Sequence, residues 1–472
     1  MAPDSSKKWM QIHRHIFGDL PISELCIPAS HDAGTYRRGF HTAFGTESNV
    51  FTQSRSIFDQ LELGVRCFDI RPYLTCPAPG TTPGHWACGH YTEGEEIEKI
   101  IGWQGANCVE IQEVIDDINR FTKDNAELVV LEIDHVFHVV IDNPISTTGR
   151  NPTQDEWNTL ISLLSKIDNL YTVERAGTKR QALQDCKLNQ FIGDGKAAVL
   201  VLVNGYPGNP DDLYNTGLWP MNTPDGQTLS LNSEWVTHTA NLLEEIKSTI
   251  NLLQLFGPEA NPDSILSLAK KYQDEHFPWL LQKFAANGYP SLIWMDRIQS
   301  PDLLTFCIAT AYQRFNIEKG LRNLVVVYGG FLITSPQVHQ RIRDAIDNGK
   351  SFVASDANLG GTDPWPTMVK SCVVFYEQNG FVKGRFAREG DLLHFEQDVL
   401  SIEYGERSIR NQKVYYNLLE AIANKKPFLV NNESMGIDPE PGVYKKCAVR
   451  FRDINSEKIR EVQANEEQSL NF

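Results

Sequence analysis

The sequence predicts an α/β fold, an irregular TIM-type α/β barrel followed by a duplicated β-rich C-terminal region. Between Leu25 and Phe315, short apolar runs that read as buried strands alternate with helical segments, the pattern of a parallel sheet with helical crossovers. Ionisable side chains stand where those runs end, at His31, Asp69, Arg71, His135 and Asp296, and a barrel collects its reactive groups at the carboxyl ends of its strands. A doubly wound sheet would carry a glycine-rich phosphate-binding fingerprint after its first strand, and ASHDAG, from Ala29 to Gly34, is not one.

The first strand is the apolar run Leu25-Cys26-Ile27, which ends at Pro28 and releases Ser30, His31 and Asp32 into a small-residue loop. A polar loop from Tyr36 to Ser54 leads to a helix over Ser56–Leu63 and a second strand over Val65–Arg71. The long Pro/Gly loop that follows carries His85 and His90, with a short strand around Trp86–His90. Ile111, Val114, Ile115, Ile118 and Phe121 share one face of a helix over Glu110–Lys123. Glu127–Val139 reads as a strand bearing Asp134 and His135. Helices are expected over Gln154–Ile167, Glu234–Leu253, Ser264–Phe284 and Leu303–Phe315, the first with Asp155 and Glu156 placed to suit its dipole. The remaining strands, Lys196–Val203 and Tyr289–Met295, open into NGYPGNPDD and onto Asp296.

From Leu324 the chain repeats itself. Tyr328 and Phe352 recur 76 residues later as Tyr404 and Phe428, while Asp363-Pro364 and Cys372 recur 75 later as Asp438-Pro439 and Cys447. Each copy reads strand, helix, strand, DPxP turn, strand. The expected organisation is a barrel over residues 1–320 and accessory repeats over 321–397 and 398–472, as two modules or one pseudo-symmetric domain.

With 472 residues, 41% hydrophobic and 22% charged, the chain suits a soluble protein of two or three domains. No apolar run approaches the ~20 residues of a membrane span. A net charge of −16 argues against nucleic-acid binding. Nearly all the acidic excess precedes Arg322, so electrostatics does not draw that half to an anionic membrane. Among nine cysteines, Cys26, Cys67 and Cys307 lie within apolar runs, as reduced core thiols do. Cys76 and Cys88 flank the Pro/Gly loop, and sequence leaves open whether they pair. The expected home is a reducing, cytoplasmic compartment, or delivery without a recognisable signal peptide, with a secreted mature form as the other reading.

His31, Arg71, His90 and Asp296 together suit phosphodiester cleavage. One imidazole takes the nucleophile's proton, the other protonates the leaving oxygen, and a guanidinium stabilises charge gathering on phosphorus. A carboxylate behind the base fixes its tautomer. Five motifs then carry a family resemblance. IPASHDAG resembles the IPGTHDSG signature of the phosphatidylinositol-specific phospholipase C X-domain, and QLELGVRCFDIR resembles that family's second-strand motif. ELVVLEIDH and YPSLIWMD are similar to two further strands, and CGHY followed by WQGA fits the spacing of its Gly-His element. The resemblance runs from Trp9 to about Phe315.

It implies His31 as general base toward the inositol 2-hydroxyl, His90 as general acid, Arg71 as phosphate clamp, Asp296 orienting His31 and Asp32 assisting the acid. Asp69, His135 and Tyr206 are candidates for substrate contact. The implied products are diacylglycerol and a 1,2-cyclic inositol phosphate. The implied partner is a phospholipid met at a membrane surface. Family members that use Ca²⁺ have Asn after the first histidine and an acidic residue where Arg71 stands, so the resemblance implies no metal and no other cofactor here. Gly89-His90 reverses the family's His-Gly order, which leaves His85 as a rival acid, and no lysine stands near His135. Two alternatives stay open. One is a phosphodiesterase for another headgroup or a glycerophosphodiester. The other is a retired barrel whose C-terminal repeats bind a membrane, glycan or protein.

Overall fold

The computed structural model describes residues 2–43, 45–77, 84–92, 102–141, 147–179, 182–223, 226–236, 264–395, 399–452 and 459–472. They form two compact units, Met1–Asp274 with Pro290–Cys307, and Glu275–Tyr289 with Ile308–Phe472.

The first unit is built on strands β1 (Ile27–Ser30), β2 (Cys67–Ile70), β3 (Pro72–Pro77), β4 (His85–Thr92), β5 (Gln104–Glu110), β6 (Leu128–Ile133), β7 (Phe137–Ile141), β8 (Thr147–Arg150), β9 (Ala198–Val203), β10 (Trp219–Pro220), β11 (Ser233–Trp235) and β12 (Leu292–Met295). Seven of these make one parallel sheet in the order β10-β9-β6-β2-β1-β12-β11. Strands β1, β2, β9 and β12 are buried throughout, which is why β9 and β12 read as continuous apolar runs rather than alternating ones. The sheet curls. Leu202 of β9 and Ser233 of β11, near opposite ends of the strand order, line one cavity of about 190 Å³ with Glu132 and Trp294. Among the described residues β10 and β11 do not pair, so this α/β barrel is irregular, with an open seam.

Among the boundaries that differ from expectation, three shape the site. The first strand begins at Ile27 and runs through Pro28 to Ser30. A proline fits because the register asks only for its carbonyl, which accepts the Arg66 N–H at 3.0 Å. The expected long strand from Glu127 to Val139 breaks after Ile133, where His135 takes a left-handed φ of 50°. The chain then enters β7, which pairs with β3 in a second sheet ordered β5-β4-β3-β7-β8. Thus β2 and β6, neighbours in the barrel, both continue past its mouth into a shared second sheet, and β4 is carried there with them. Lastly, Ser233–Trp235 is strand rather than the start of a helix, and residues 237–263 lie outside the described residues.

Helices α1 (Ile57–Glu62), α2 (Ile111–Asp124) and α3 (Gln154–Leu164) cover the sheet connections. The stripe Ile111, Val114, Ile115, Ile118 and Phe121 is buried as its spacing requires, and Thr153 with Glu156 forms a capping box on α3. Beneath the barrel, Arg66 and Glu127 pair at 3.0 Å with both side chains fully buried. Glu127 also accepts the Met10 and Gln11 N–H groups, and Arg66 donates to the Ser6, Lys7, Leu61 and Val65 carbonyls. This satisfies the ion pair completely and ties the N-terminal segment down.

Helices α4 (Ile265–Asn287) and α5 (Asp302–Glu318) precede the rest of the second unit, which holds β13 (Val325–Tyr328), α6 (Pro336–Asp347), β14 (Ser371–Gln378), β15 (Phe381–Arg388), β16 (Val399–Tyr404), α7 (Gln412–Ala423), β17 (Lys446–Arg452) and β18 (Ile459–Asn465). Two four-stranded sheets share one strand order. The first sets Phe331–Leu332 beside β13, β14 and β15, and the second sets Arg407–Ser408 beside β16, β17 and β18. In the first, the buried Lys370 meets Asp363 at 2.9 Å and Glu389 at 2.7 Å; in the second, the buried Lys445 meets Asp438 at 3.1 Å and Glu466 at 3.2 Å.

Candidate active site

At the barrel mouth β1 delivers His31, β12 delivers Asp296, β2 delivers Asp69 and Arg71, and β4 delivers His90. His31 is 3% exposed and its Nδ1 lies 2.8 Å from the fully buried Asp296 Oδ1. Arg71 Nη2 lies 2.8 Å from His31 Nε2. A guanidinium only donates, so Nε2 must hold a lone pair and the proton sits on Nδ1, donated to Asp296. That is the tautomer of a base. Arg71 itself is braced by Asp69, which accepts from its Nε at 2.9 Å and Nη2 at 2.8 Å.

Asp32 joins the two histidine sides. Its carboxylate stands 3.6 Å from Arg71 Nη1 and 3.4 Å from His90 Nδ1, and neither oxygen has a hydrogen-bond partner among the described residues. Its φ of 45° is left-handed, uncommon for a side-chain-bearing residue. The conformation is held from several directions. Its N–H donates to Asp69 at 3.1 Å, Thr35 and Thr52 hydroxyls donate to its carbonyl, and Gln53 donates to the preceding carbonyl of His31. Strain maintained by this many bonds is the mark of a residue kept for its position. The chain enters and leaves this turn tightly, since a Cβ on Gly34 would overlap Cys88.

Burial depresses the His31 pKa, yet the charge and hydrogen bond of Asp296, with Asp69 behind, outweigh burial and Arg71, so it lies above the ordinary 6.5. For His90 burial dominates, reinforced by Arg71 and His31 and only partly opposed by Asp32, so its pKa lies below 6.5. The two imidazoles are thus pushed apart in the free chain, His31 upward and His90 downward. Burial would raise Asp69, but Arg71 and His31 hold it below the usual carboxylate range. For Glu132, which lines the barrel cavity, no such cation acts among the described residues. Burial, then the charges of Asp69 and Asp134, push it up to about 8.

Of the residues singled out in the sequence, His31, Asp32, Asp69, Arg71, His90 and Asp296 meet here. The others do not. His85 is exposed at the start of β4, opposite Thr75. His135 is exposed and pairs with its neighbour Asp134 at 3.3 Å. Tyr206 packs edge-on against Trp157 with ring centroids 5.8 Å apart, its hydroxyl bonded to Gln154 at 2.9 Å. Cys76 and Cys88 are free thiols, the latter buried. Among the described residues no three His, Cys, Asp or Glu side chains are grouped as metal ligands.

Two features of the mouth were not expected from the sequence. Trp235 of β11 meets the His31 ring edge-on at 5.1 Å and stacks on Trp294 at 5.7 Å, forming an apolar wall beside the base. At the exits of β6 and β9, and just beyond β10, Asn222 donates to Asn204 and Asn204 to Asp134, each at 2.9 Å. The signal for Asp134 and Asn204 is their place immediately after buried strands.

No family model and no curated protein matches the chain. Solved structures similar to it include a phosphatidylinositol-specific phospholipase C from Listeria monocytogenes, 15% identical, covering 66% of this chain and 98% of that one with a TM-score of 0.36. Another is the Staphylococcus aureus phosphatidylinositol-specific phospholipase C, 15% identical, covering 63% of this chain and 92% of that one with a TM-score of 0.37.

Proposed function

We propose that the chain is a phosphodiesterase of the phospholipase C type, cleaving an inositol-headed phospholipid at a membrane surface. The observation that carries this reading is a guanidinium, Arg71, 2.8 Å from the base nitrogen of His31, with Asp32 bridging it to His90. His31 Nε2 takes the proton of the inositol 2-hydroxyl. Its oxygen bonds to phosphorus as the bond from phosphorus to the glycerol oxygen breaks, and His90 supplies the proton that leaves with diacylglycerol. The other product is the 1,2-cyclic inositol phosphate, and exchange with water returns both histidines to their starting forms.

Arg71 moves from His31 to the phosphoryl oxygens as substrate arrives, freeing Nε2 and supplying the positive charge that the transition state needs. A phosphodiester anion beside His90 offsets the burial that holds its pKa down, so the acid gains its proton on binding. Asp134, Asn204 and Asn222 offer carboxylate and amide groups to the hydroxyls of a polyol headgroup.

Phosphorus NMR of products from phosphatidylinositol, phosphatidylcholine, phosphatidylethanolamine and glycerophosphoinositol tests this. A cyclic phosphodiester from the inositol lipid is expected, unaffected by EDTA and lost in His31→Ala and His90→Ala. Wild-type turnover by His31→Ala, or a phosphomonoester as first product, would overturn the mechanism. Cleavage confined to another member of the panel would reassign the headgroup.

A further inference from the structure

The second unit holds a cavity of about 310 Å³ that plays no part in the chemistry above. Its walls come from Trp279 of α4, Phe386 of β15, Leu419 and Ile422 of α7, and Phe451 of β17. Into this apolar space come two guanidiniums, Arg385 and Arg452, and the imidazole of His394, and among the described residues no carboxylate lines it. Arg385 is held in place by donating from Nε to the His394 carbonyl at 2.7 Å and from Nη1 to the Gly384 carbonyl at 2.9 Å. Arg452 lies against Gly349, whose φ is 55°; a Cβ there would stand 2.9 Å from the Arg452 Nη1. Glycine at that position leaves the guanidinium its room.

The repeat supplies an internal control. At the 76-residue spacing, Leu419 and Ala423 correspond to Arg343 and Asp347, and at the 75-residue spacing Arg452 corresponds to Glu377. Arg343, Asp347 and Glu377 are all exposed, and Glu377 pairs with Arg322 at 2.7 Å. One copy is charged and wet at these positions. The other is apolar, with its charge reversed from acidic to basic where it faces the cavity.

We infer that this cavity binds a single-chain anionic amphiphile, an alkyl chain ending in a carboxylate or phosphate. The chain would lie on Trp279, Phe386, Leu419 and Phe451, with the head between Arg385 and Arg452. Its volume is at the small end of the ~300–1,000 Å³ range of small-molecule sites, which suits one medium-length chain rather than a two-chain lipid. Half-buried guanidiniums beside an apolar wall favour an anion, whose charge and acceptors replace the water they give up.

Titration calorimetry on the full chain tests this with decanoate, decyl phosphate, decanol and inorganic phosphate. Saturable binding of at least one decyl anion is expected, about tenfold or more tighter than decanol, with none of inorganic phosphate alone; which anion binds identifies the head. Ala423→Trp, which fills the space, abolishes binding, and Arg452→Gln weakens it about tenfold, with thermal melts checking that both variants fold. Arg343→Leu and His31→Ala leave it unchanged, which separates this site from the proposed catalysis. Binding of decanol as tight as of the anions, binding retained in a folded Ala423→Trp chain, or no binding to the wild-type chain would overturn it.

Discussion

Replacing Asp296 by asparagine removes one charge from the site while keeping its shape. In the wild-type chain the Asp296 carboxylate, fully buried and 2.8 Å from Nδ1, outweighs both burial and Arg71 and lifts the His31 pKa. With that charge gone, burial and Arg71 prevail and the pKa falls below its ordinary value. An asparagine amide can also donate to Nδ1, which transfers the ring proton to Nε2. There it faces the Arg71 donor at 2.8 Å, leaving no lone pair for a substrate hydroxyl. A base that loses its orientation and basicity together should cost about 10²–10⁴ in kcat, the range of general-base contributions. Two readouts check this. The kcat–pH profile should keep an acid limb, because His31 must be unprotonated to act, but the limb should move to lower pH as kcat drops. The His31 nitrogen resonances, followed by NMR without substrate, should titrate at lower pH by the same displacement. Stability should respond as well. A raised histidine pKa contributes stability at pH below its unfolded value, lost as pH rises through the folded value, and Asp296→Asn should remove that dependence. Unchanged kcat with an unmoved titration would refute the role assigned to Asp296.

Glu127→Gln leaves Arg66 charged and fully buried without its counterion, and should destabilise the chain by about 3–5 kcal/mol in urea melts. The double change Arg66→Met with Glu127→Leu should recover much of that. Glu132, with its pKa pushed up to about 8, should make folding weaken as pH rises from the ordinary carboxylate range through that value, by about 1.4 kcal/mol for each pH unit crossed. Glu132→Gln should flatten this decline in thermal melts, and an unaltered slope would show that Glu132 is not its source.

The strand exits were legible because a buried parallel strand must be apolar throughout, so the first ionisable residue after it stands out. His31, Arg71 and Asp296 are all of this kind. The mixed sheet above the mouth was much less legible. Its strands β3, β4 and β5 mix Pro, Gly, Cys and His, and pairing with distant partners, rather than any local period, makes them strands. For that reason sequence could not choose between His85 and His90, whereas the fold brings only His90 to Asp32. Trp235 was hidden differently. It ends a three-residue strand, too short to show alternation, beside a stretch that reads as helix. Asn222 lies beyond a two-residue strand with even less signal.

The position of β1 between β2 and β12 sets an order of events during synthesis. Ala29 pairs with Cys67 on one side and Trp294 on the other, so the two edges of the same strand close over very different lengths of chain. Loop closure costs about 0.6 kcal/mol for each doubling of length, which makes the second closure roughly 2 kcal/mol the harder. Until β12 leaves the ribosome, one edge of β1 stays open for pairing with other chains. His31 likewise waits for Asp296, 265 residues downstream. A chain caught half-made therefore has its first histidine but no oriented base, and catalytic competence arrives only when the last strand of the barrel sheet zips into place.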